Sequence, residues 1–332
     1  MTATASDADV AIGDETAVVP PPSPVFVLGG GDLGSGVVLA LHRAGCRVIV
    51  IERPWPTALR LHVAFASAVL HGLWSVDGVF GRHVSDGRTL AEALARGEVA
   101  VWSGSEAELR ALVAPAALVD ARLLGVSQPD LTRERAPLVI ALGPGHVAGV
   151  HCHAVIETNR GPHLGEVIYA GSAAPHTGIP GTVAGLDEAR VVRSAVDGKV
   201  TRVCAIGDVV RAGDVVAFVN GTVAMSCIAG VVRGLKLDDV RVRRGQKIAD
   251  VDPRGDRDLC WQPSDKSGKV GAGAVAALAG LAASVARSSG PGVSGGPITA
   301  DARRAASVAG TDASPVCNVT GERLRRPQSG RA

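Results

Sequence analysis

Aromatic side chains are scarce, with four Trp, four Phe and one Tyr in 332 residues. The cores must therefore be filled by Val, Leu, Ile and Ala, for which the 46% hydrophobic fraction is sufficient. Lysine is rarer still, five residues against 29 arginines, and no basic cluster falls on a folded stretch. With a formal net charge of +2, that distribution excludes the electrostatic footprint of a nucleic-acid binder. The six cysteines (Cys46, Cys152, Cys204, Cys227, Cys260, Cys317) include no C-x-x-C pair, so neither a zinc knuckle nor a small disulfide scaffold is indicated, and a reducing cytoplasm fits best. The first basic residue is Arg43, and the start carries Asp7, Asp9, Asp14 and Glu15, so no signal peptide is expected. Long apolar runs are also missing. The one uncharged stretch, Val270 to Ala286, is mostly Ala and Gly and reads as a soluble helix frayed into a linker, not as a membrane partner.

What is abundant is glycine (42) and proline (19), which points to tight turns and away from long bundles or coiled coils. Residues 1–24 are acidic, lack periodicity and end in a proline cluster, as expected of a disordered leader. Residues 286–332 are Gly, Ser, Pro, Ala and Arg with almost no large apolar side chain, as expected of a disordered tail. Between them, Val25 to Leu28 is a continuous apolar run that fits a strand buried on both faces. A glycine turn follows, then Val37, Val38, Leu41 and Ala44 at helical spacing, Gly45 as a stop, and a second apolar strand from Arg47 to Ile51. Further strands are predicted at Leu118 to Asp120 and Leu138 to Leu142, beyond a capped helix from Ser105 to Ala114. This alternation predicts an α/β, Rossmann-like parallel-sheet domain over 25–150, followed by a connecting segment packed on it over 151–190.

The glycine turn carries chemistry. Gly29, Gly31 and Gly34 satisfy G-x-G-x-x-G between a strand and a helix, and Glu52 lies 23 residues after Gly29, near where an acid takes a ribose hydroxyl pair. Small residues at a helix N-terminus bare the backbone amides to a phosphate. A nucleotide or dinucleotide is the expected ligand, against packing alone as the reason for the glycines. Asp32 stands at the same helix mouth, where its carboxylate could cap those amides and repel a phosphate. A second turn, Gly143-Pro144-Gly145-His146, also follows a strand and is expected at the same crevice, with His146 a solvent-exposed loop residue. His151-Cys152-His153 would begin a metal site only with a third ligand, and none stands at a diagnostic spacing, so no metal is expected. No catalytic residues can be identified.

Residues 197–219 and 229–251 repeat at an offset of 32, pairing Gly198 with Gly230, Val200 with Val232, Arg211 with Arg243, Gly213 with Gly245 and Val219 with Val251. Each copy is too small to bury its apolar side alone, so the two should close face to face. The pair resembles the barrel-sandwich hybrid of biotinyl and lipoyl carrier domains, here over 191–252, followed by a C-terminal segment with the Ala-rich helix over 253–285. The hairpin between the halves, Asn220 to Cys227, has no lysine, so no biotin or lipoyl attachment is expected, and Cys227 is expected to be buried and inert.

The ordered strings GGGDLGSGVVLALHRAG (Gly29 to Gly45), ALVDARLLG (Ala117 to Gly125), APLVIALGPGHVAG (Ala136 to Gly149), VIETNRG (Val155 to Gly161), LGEVIYAGSA (Leu164 to Ala173), TGIPG (Thr177 to Gly181) and DVDPRG (Asp250 to Gly255) resemble the accessory proteins of selenium-dependent molybdenum hydroxylases, the YqeB type. The resemblance implies a role in maturation of a molybdenum hydroxylase client, with no enzymatic activity carried over. The chain departs from the pattern at His176, at Leu61-His62 and over Ser267 to Val270. From the residues themselves, Arg160 either clamps a phosphate or carboxylate or pairs with Glu157 or a neighbouring domain. Asp252 to Gly255 reads as a turn held by Asp252, with Arg254 as an interdomain pin. The alternative to an accessory protein is an NAD(P)-dependent oxidoreductase built on the same glycine loop.

Overall fold

Along β1 (Val25–Leu28) the side chains alternate between two hydrophobic layers, Val25 and Val27 on one face, Phe26 and Leu28 on the other, all buried. A strand with no polar face belongs in the middle of a sheet covered on both sides. The computed structural model, which describes residues 22–124, 130–178 and 180–288, puts it there. The chain continues through α1 (Asp32–Arg43), β2 (Val48–Ile51), α2 (Ala68–His71), β3 (Leu73–Val76), β4 (Val79–Val84), α3 (Gly87–Ala95), β5 (Val99–Trp102), α4 (Glu106–Leu112), β6 (Ala117–Asp120), β7 (Leu138–Leu142), β8 (Ala154–Ile156) and β9 (Val167–Ile168). These strands form one nine-stranded sheet in the order β3-β4-β5-β2-β1-β6-β7-β8-β9. Pairing is parallel from β4 through β8 and antiparallel at the two edges. From β1 the chain first builds outward through β2 and later returns to build the other way from β6, so the order reverses beside β1. The last two strands come from the stretch after residue 150.

Local sequence accounts for the helix boundaries. Ser105 caps α4 through its hydroxyl, which accepts from the Glu108 amide, while the Glu108 carboxylate accepts from the Ser105 amide, the reciprocal box that the sequence suggested. Asp86 and Thr89 do the same for α3. Gly45, at φ +86°, follows the last turn of α1 and lets the chain reverse into β2.

The second part consists of β10 (Val191–Arg193), β11 (Gly198–Arg202), β12 (Val209–Val210), β13 (Val215–Val219), β14 (Thr222–Met225), β15 (Gly230–Leu235), β16 (Arg241–Val242) and β17 (Lys247–Asp252). They make two four-stranded antiparallel sheets, β10-β17-β15-β12 and β14-β13-β11-β16. The 32-residue offset maps one sheet onto the other, and each copy lends its short strand to its partner's sheet. Hydrogen bonds repeat at the same offset. Ser194 and Ser226 donate their hydroxyls to the carbonyls of Val196 and Ile228, and the amides of Gly245 and Gly213 donate to the carbonyls of Ser194 and Ser226. Val200, Val216, Val219, Val232, Ile248 and Val251 fill the space between the sheets. Asn220 and Gly221, both at positive φ, make the two-residue turn between β13 and β14.

After β17, α5 (Asp265–Ser288) runs back across the first part. The expectation of a helix frayed into a linker is corrected: this is one continuous helix whose Val270, Ala274, Ala277 and Leu278 enter the same hydrophobic layer as α1. Glycine makes that contact possible. A Cβ on Gly36 would lie 2.3 Å from the Ser267 carbonyl oxygen, and one on Gly271 2.3 Å from that of Gly36. The helix is long and apolar enough by composition to cross a membrane. Its small residues instead serve backbone-to-backbone packing on α1. Residues 1–21 and 289–332, most of the expected leader and tail, lie outside the described residues.

The segment after β2 joins the two parts. Leu59 accepts from the Leu235 amide, Thr57 accepts from Lys236 Nζ at 2.7 Å, and Leu61 is buried in the core of the β module.

Candidate functional site

The carboxyl ends of β1, β2 and β6 surround a cavity of about 570 Å³. Gly29, Gly31, Asp32 and Gly34 form its floor, Glu52 and Arg53 one side, Ala121 and Arg122 the other, and Pro54, Thr57 and Ala58 the wall shared with the joining segment. It sits where the strand order reverses, the position at which open parallel sheets bind ligands. The three glycines have different physical reasons. Gly29 is at φ +92°, a conformation that disfavours other side chains. A Cβ on Gly34 would lie 2.1 Å from the Gly29 carbonyl oxygen, so this glycine sets the strand-to-helix distance. A Cβ on Gly31 would meet only Ala58 Cβ, at 3.8 Å. Gly31 is the N-cap of α1 and lacks a side chain to cap the first turn, whose leading amides have no intrahelical acceptor.

Asp32 does not use its carboxylate on those amides. Its Oδ2 receives Nη1 of Arg60 at 2.8 Å, and its Oδ1 is buried without a hydrogen-bond partner. Arg60, only 7% exposed, also donates Nη2 to the Gln262 carbonyl. The repulsion between Asp32 and a phosphate at the helix mouth is thereby offset by an adjacent guanidinium. Glu52 lines the cavity, and each of its oxygens accepts one amide, Gly30 at 2.9 Å and Arg53 at 2.9 Å. The acid therefore braces the glycine turn from the end of β2. Arg122, also in the lining, is held by Asp120 and Asp130, which push its pKa above the usual guanidinium value.

Gly143 and Gly145 lie at the end of β7 and do not line this cavity, although a Cβ on Gly143 would come within 3.1 Å of Leu123, which does. His146, expected in solvent, is instead 6% exposed. Burial holds its imidazole below the ordinary value, and its Nδ1 has no partner. Asp120 stands behind the loop, its Oδ2 3.8 Å from His146 Nε2. His151 and His153 each accept a backbone amide, from Val147 and Val139 respectively, and so are spent on separate turns. Among the described residues no group of three or more His, Cys, Asp or Glu is placed to hold a metal. Cys227, expected to be buried, is exposed, because the chain leaves β14 two residues before it.

A second cavity, about 850 Å³, lies between the sheet and the β module and shares Asp32 with the first. It gathers motif strings that sequence reasoning left scattered: Asn159 to Gly161, Thr177 with Pro180 and Gly181, Asp250, and Ser264 with Lys266. Arg160 pairs with Asp265 through two bonds of 2.9 Å, not with Glu157, whose carboxylate accepts the Asn159 and Ala174 amides. The Asp252 turn is as expected, but Arg254 folds back onto Asp252 within it and is not an interdomain pin. Arg233 reaches Asp252 instead, at 3.2 Å. The only sequence signal for this second site was the motif strings themselves, since its residues come from segments as far apart as Asp32 and Lys266.

No protein-family profile matches the chain. An aspartoacylase family protein from Mesorhizobium loti (14% identity, TM-score 0.23) and the ectoine utilization protein EutE from Ruegeria pomeroyi (12% identity, TM-score 0.22) each align over 70% of this chain and 85% of their own. At such TM-scores neither bears on fold or chemistry. In sequence, 254 residues, 76% of this chain, are 40% identical to the uncharacterized protein YqeB of Escherichia coli (strain K12). The chain is thus similar to YqeB over most of its length and spans 47% of that relative.

Proposed function

We propose that this protein is an accessory factor that binds a nucleotide-type ligand at the glycine loop and serves the maturation of a molybdenum hydroxylase. The observation that carries the ligand half is the open cavity at the start of α1, with the Asp32 carboxylate drawn to Arg60 and the helix mouth left uncapped by any side chain. A phosphate there would meet the bared amides and the positive end of α1. On this reading the sheet part is Rossmann-like and the β module, with its 32-residue symmetry, is a barrel-sandwich hybrid that engages a client or covers the crevice. The maturation half rests on the ordered motif strings and the likeness to YqeB, of which this chain covers about half.

The test is native mass spectrometry of the freshly purified full chain, followed by calorimetric titration with ATP and NADH. Binding lost in Gly31→Arg is the expected result; no affinity for either compound up to millimolar concentration defeats the ligand half. Full activity and cofactor loading of the host's molybdenum hydroxylases after gene deletion defeats the client half. Glu52 at the end of β2 favours one second reading, an NAD(P)-dependent oxidoreductase, and binding of NADH with hydride transfer to an acceptor would select it. Bonds from two amides to Glu52 leave it less free for a ribose than a dehydrogenase acid needs.

A further inference from the structure

The cavity between the sheet and the β module is lined by Arg60, Arg160, Arg190, Arg233, Lys247 and Lys266, against two carboxylates, Asp32 and Asp250. This excess is local, because the whole chain carries only +2. Both lining carboxylates are already committed, Asp32 to Arg60 and Asp250 to Arg190 and Lys247. From outside the lining, Asp265 holds Arg160 and Asp252 holds Arg233, so the guanidinium planes are fixed in place without their charge being over-compensated.

Two features are unexplained by structure alone. Arg60 is 7% exposed and its Nε is buried with no acceptor, a donor that folding has desolvated and left unmatched. Lys266 is half-buried at the start of α5 and has no hydrogen-bond or ion-pair partner among the described residues. Burial first, and the nearby Arg160 guanidinium second, hold its ammonium below the ordinary lysine value against the opposing pull of Asp32, Glu157 and Asp265. Four carboxylates, Asp32, Asp250, Asp252 and Asp265, pair with these six cations, so the cleft keeps a positive excess that a bound anion would offset.

We propose that this cleft is a binding site for a small, multiply charged phosphate compound, with Lys266 and the arginine forks as its ligands. Forked guanidiniums suit phosphate oxygens bidentately, and a cleft of about 850 Å³ is of the size that holds a small molecule. The site does not depend on the glycine-loop reading, since the two cavities share only Asp32 in their linings.

The experiment is calorimetric titration of the full chain with inorganic pyrophosphate in 50 mM salt. Wild type is expected to bind in the micromolar to low millimolar range, Lys266→Gln about tenfold more weakly, as loss of one charge-assisted bond implies, and Lys266→Arg within threefold of wild type. Arg53→Gln, on the glycine-loop cavity only, is expected to leave pyrophosphate affinity unchanged. Urea unfolding of each variant checks that it is folded. No binding up to 10 mM, wild-type affinity in Lys266→Gln, or a loss in Arg53→Gln equal to that in Lys266→Gln would each overturn the proposal. Pyrophosphate binding with the expected pattern but no ATP or NADH binding would leave it standing while removing the nucleotide reading.

Discussion

The two cavities that meet at Asp32 are built of different material. The one at the glycine loop is made by the backbone: its shape comes from Gly29, Gly31 and Gly34, and its acid, Glu52, is spent on amides. The one against the β module is made by side chains, with six cations delivered from both parts of the fold and steadied from behind by carboxylates. A backbone-built site tolerates no added atom where chain meets chain, whereas a side-chain-built site depends on its charges balancing. Removing contact space at Gly34 should therefore act through stability, and removing the charge of Lys266 through binding.

The largest effect is expected at Gly34. A methyl there would lie 2.1 Å from the Gly29 carbonyl, a contact that only backbone movement relieves. Gly34→Ala should cost about 3 kcal/mol, read from denaturant unfolding of the full chain. Lys266→Ala, on the other cavity, should stay within about 0.5 kcal/mol of wild type. If the two variants were equally stable, the contrast between backbone-built and side-chain-built sites would fail.

One acid tests whether the cationic cavity has a structural part of its own. Asp252 is 3% exposed and holds both Arg233 and Arg254. Removing it in Asp252→Ala leaves a largely buried guanidinium uncompensated, for an expected loss of about 3 kcal/mol. A loss below about 1 kcal/mol in the same unfolding experiment would mean that water reaches Arg233 freely and that the cleft is less enclosed than its lining implies.

Titration of Asp265 gives a smaller and more specific signal. The side-chain bonds from Arg160 hold this carboxyl down to about 2, from an ordinary 3.8. Because the folded value lies below the unfolded one, the pair's contribution is fully present above about pH 4 and is lost as pH falls through about 2. The exposed position of Asp265 keeps that contribution small. In Asp265→Asn the urea midpoint should change less steeply between pH 4 and pH 2 than in wild type. An unchanged slope would show that Arg160 is not fixed by this acid.

The same contrast explains what was legible in the sequence. The β1–loop–α1–β2 unit could be read because every cue is local: an apolar run, glycines at fixed spacing, helical periodicity and Gly45 as a stop. The repeat could be read because both copies obey the same turn chemistry, down to Ser194 and Ser226. The burial of His146 is not legible because a Gly-Pro-Gly loop is polar by composition, while the loop packs beside Asp120 from a strand 26 positions earlier. The α5 helix was misjudged for a related reason. Its Ala and Gly look weak until Gly36 on α1 offers a surface that only small residues can approach. The cationic cavity needed six distant segments to converge, and no periodicity reports that.

A small effect on stability, and the sharpest on the glycine-loop site, belongs to Gly31. Its φ of −72° and ψ of −171° suit any residue, and an added methyl would meet nothing closer than Ala58 Cβ at 3.8 Å. Alanine is a poorer N-cap than glycine, so Gly31→Ala should lower stability by no more than about 1 kcal/mol. The methyl would nonetheless stand at the mouth of the cavity, where a phosphate must come against the amides of α1. For whichever of ATP and NADH binds wild type, affinity should fall about tenfold or more, equivalent to roughly 1.4 kcal/mol, while pyrophosphate affinity in the neighbouring cleft stays as it was. Gly34 would then be the glycine that folding needs and Gly31 the one that the ligand needs. Undiminished nucleotide binding in a folded Gly31→Ala protein would break that division, because the bared amides would then not be what the ligand touches.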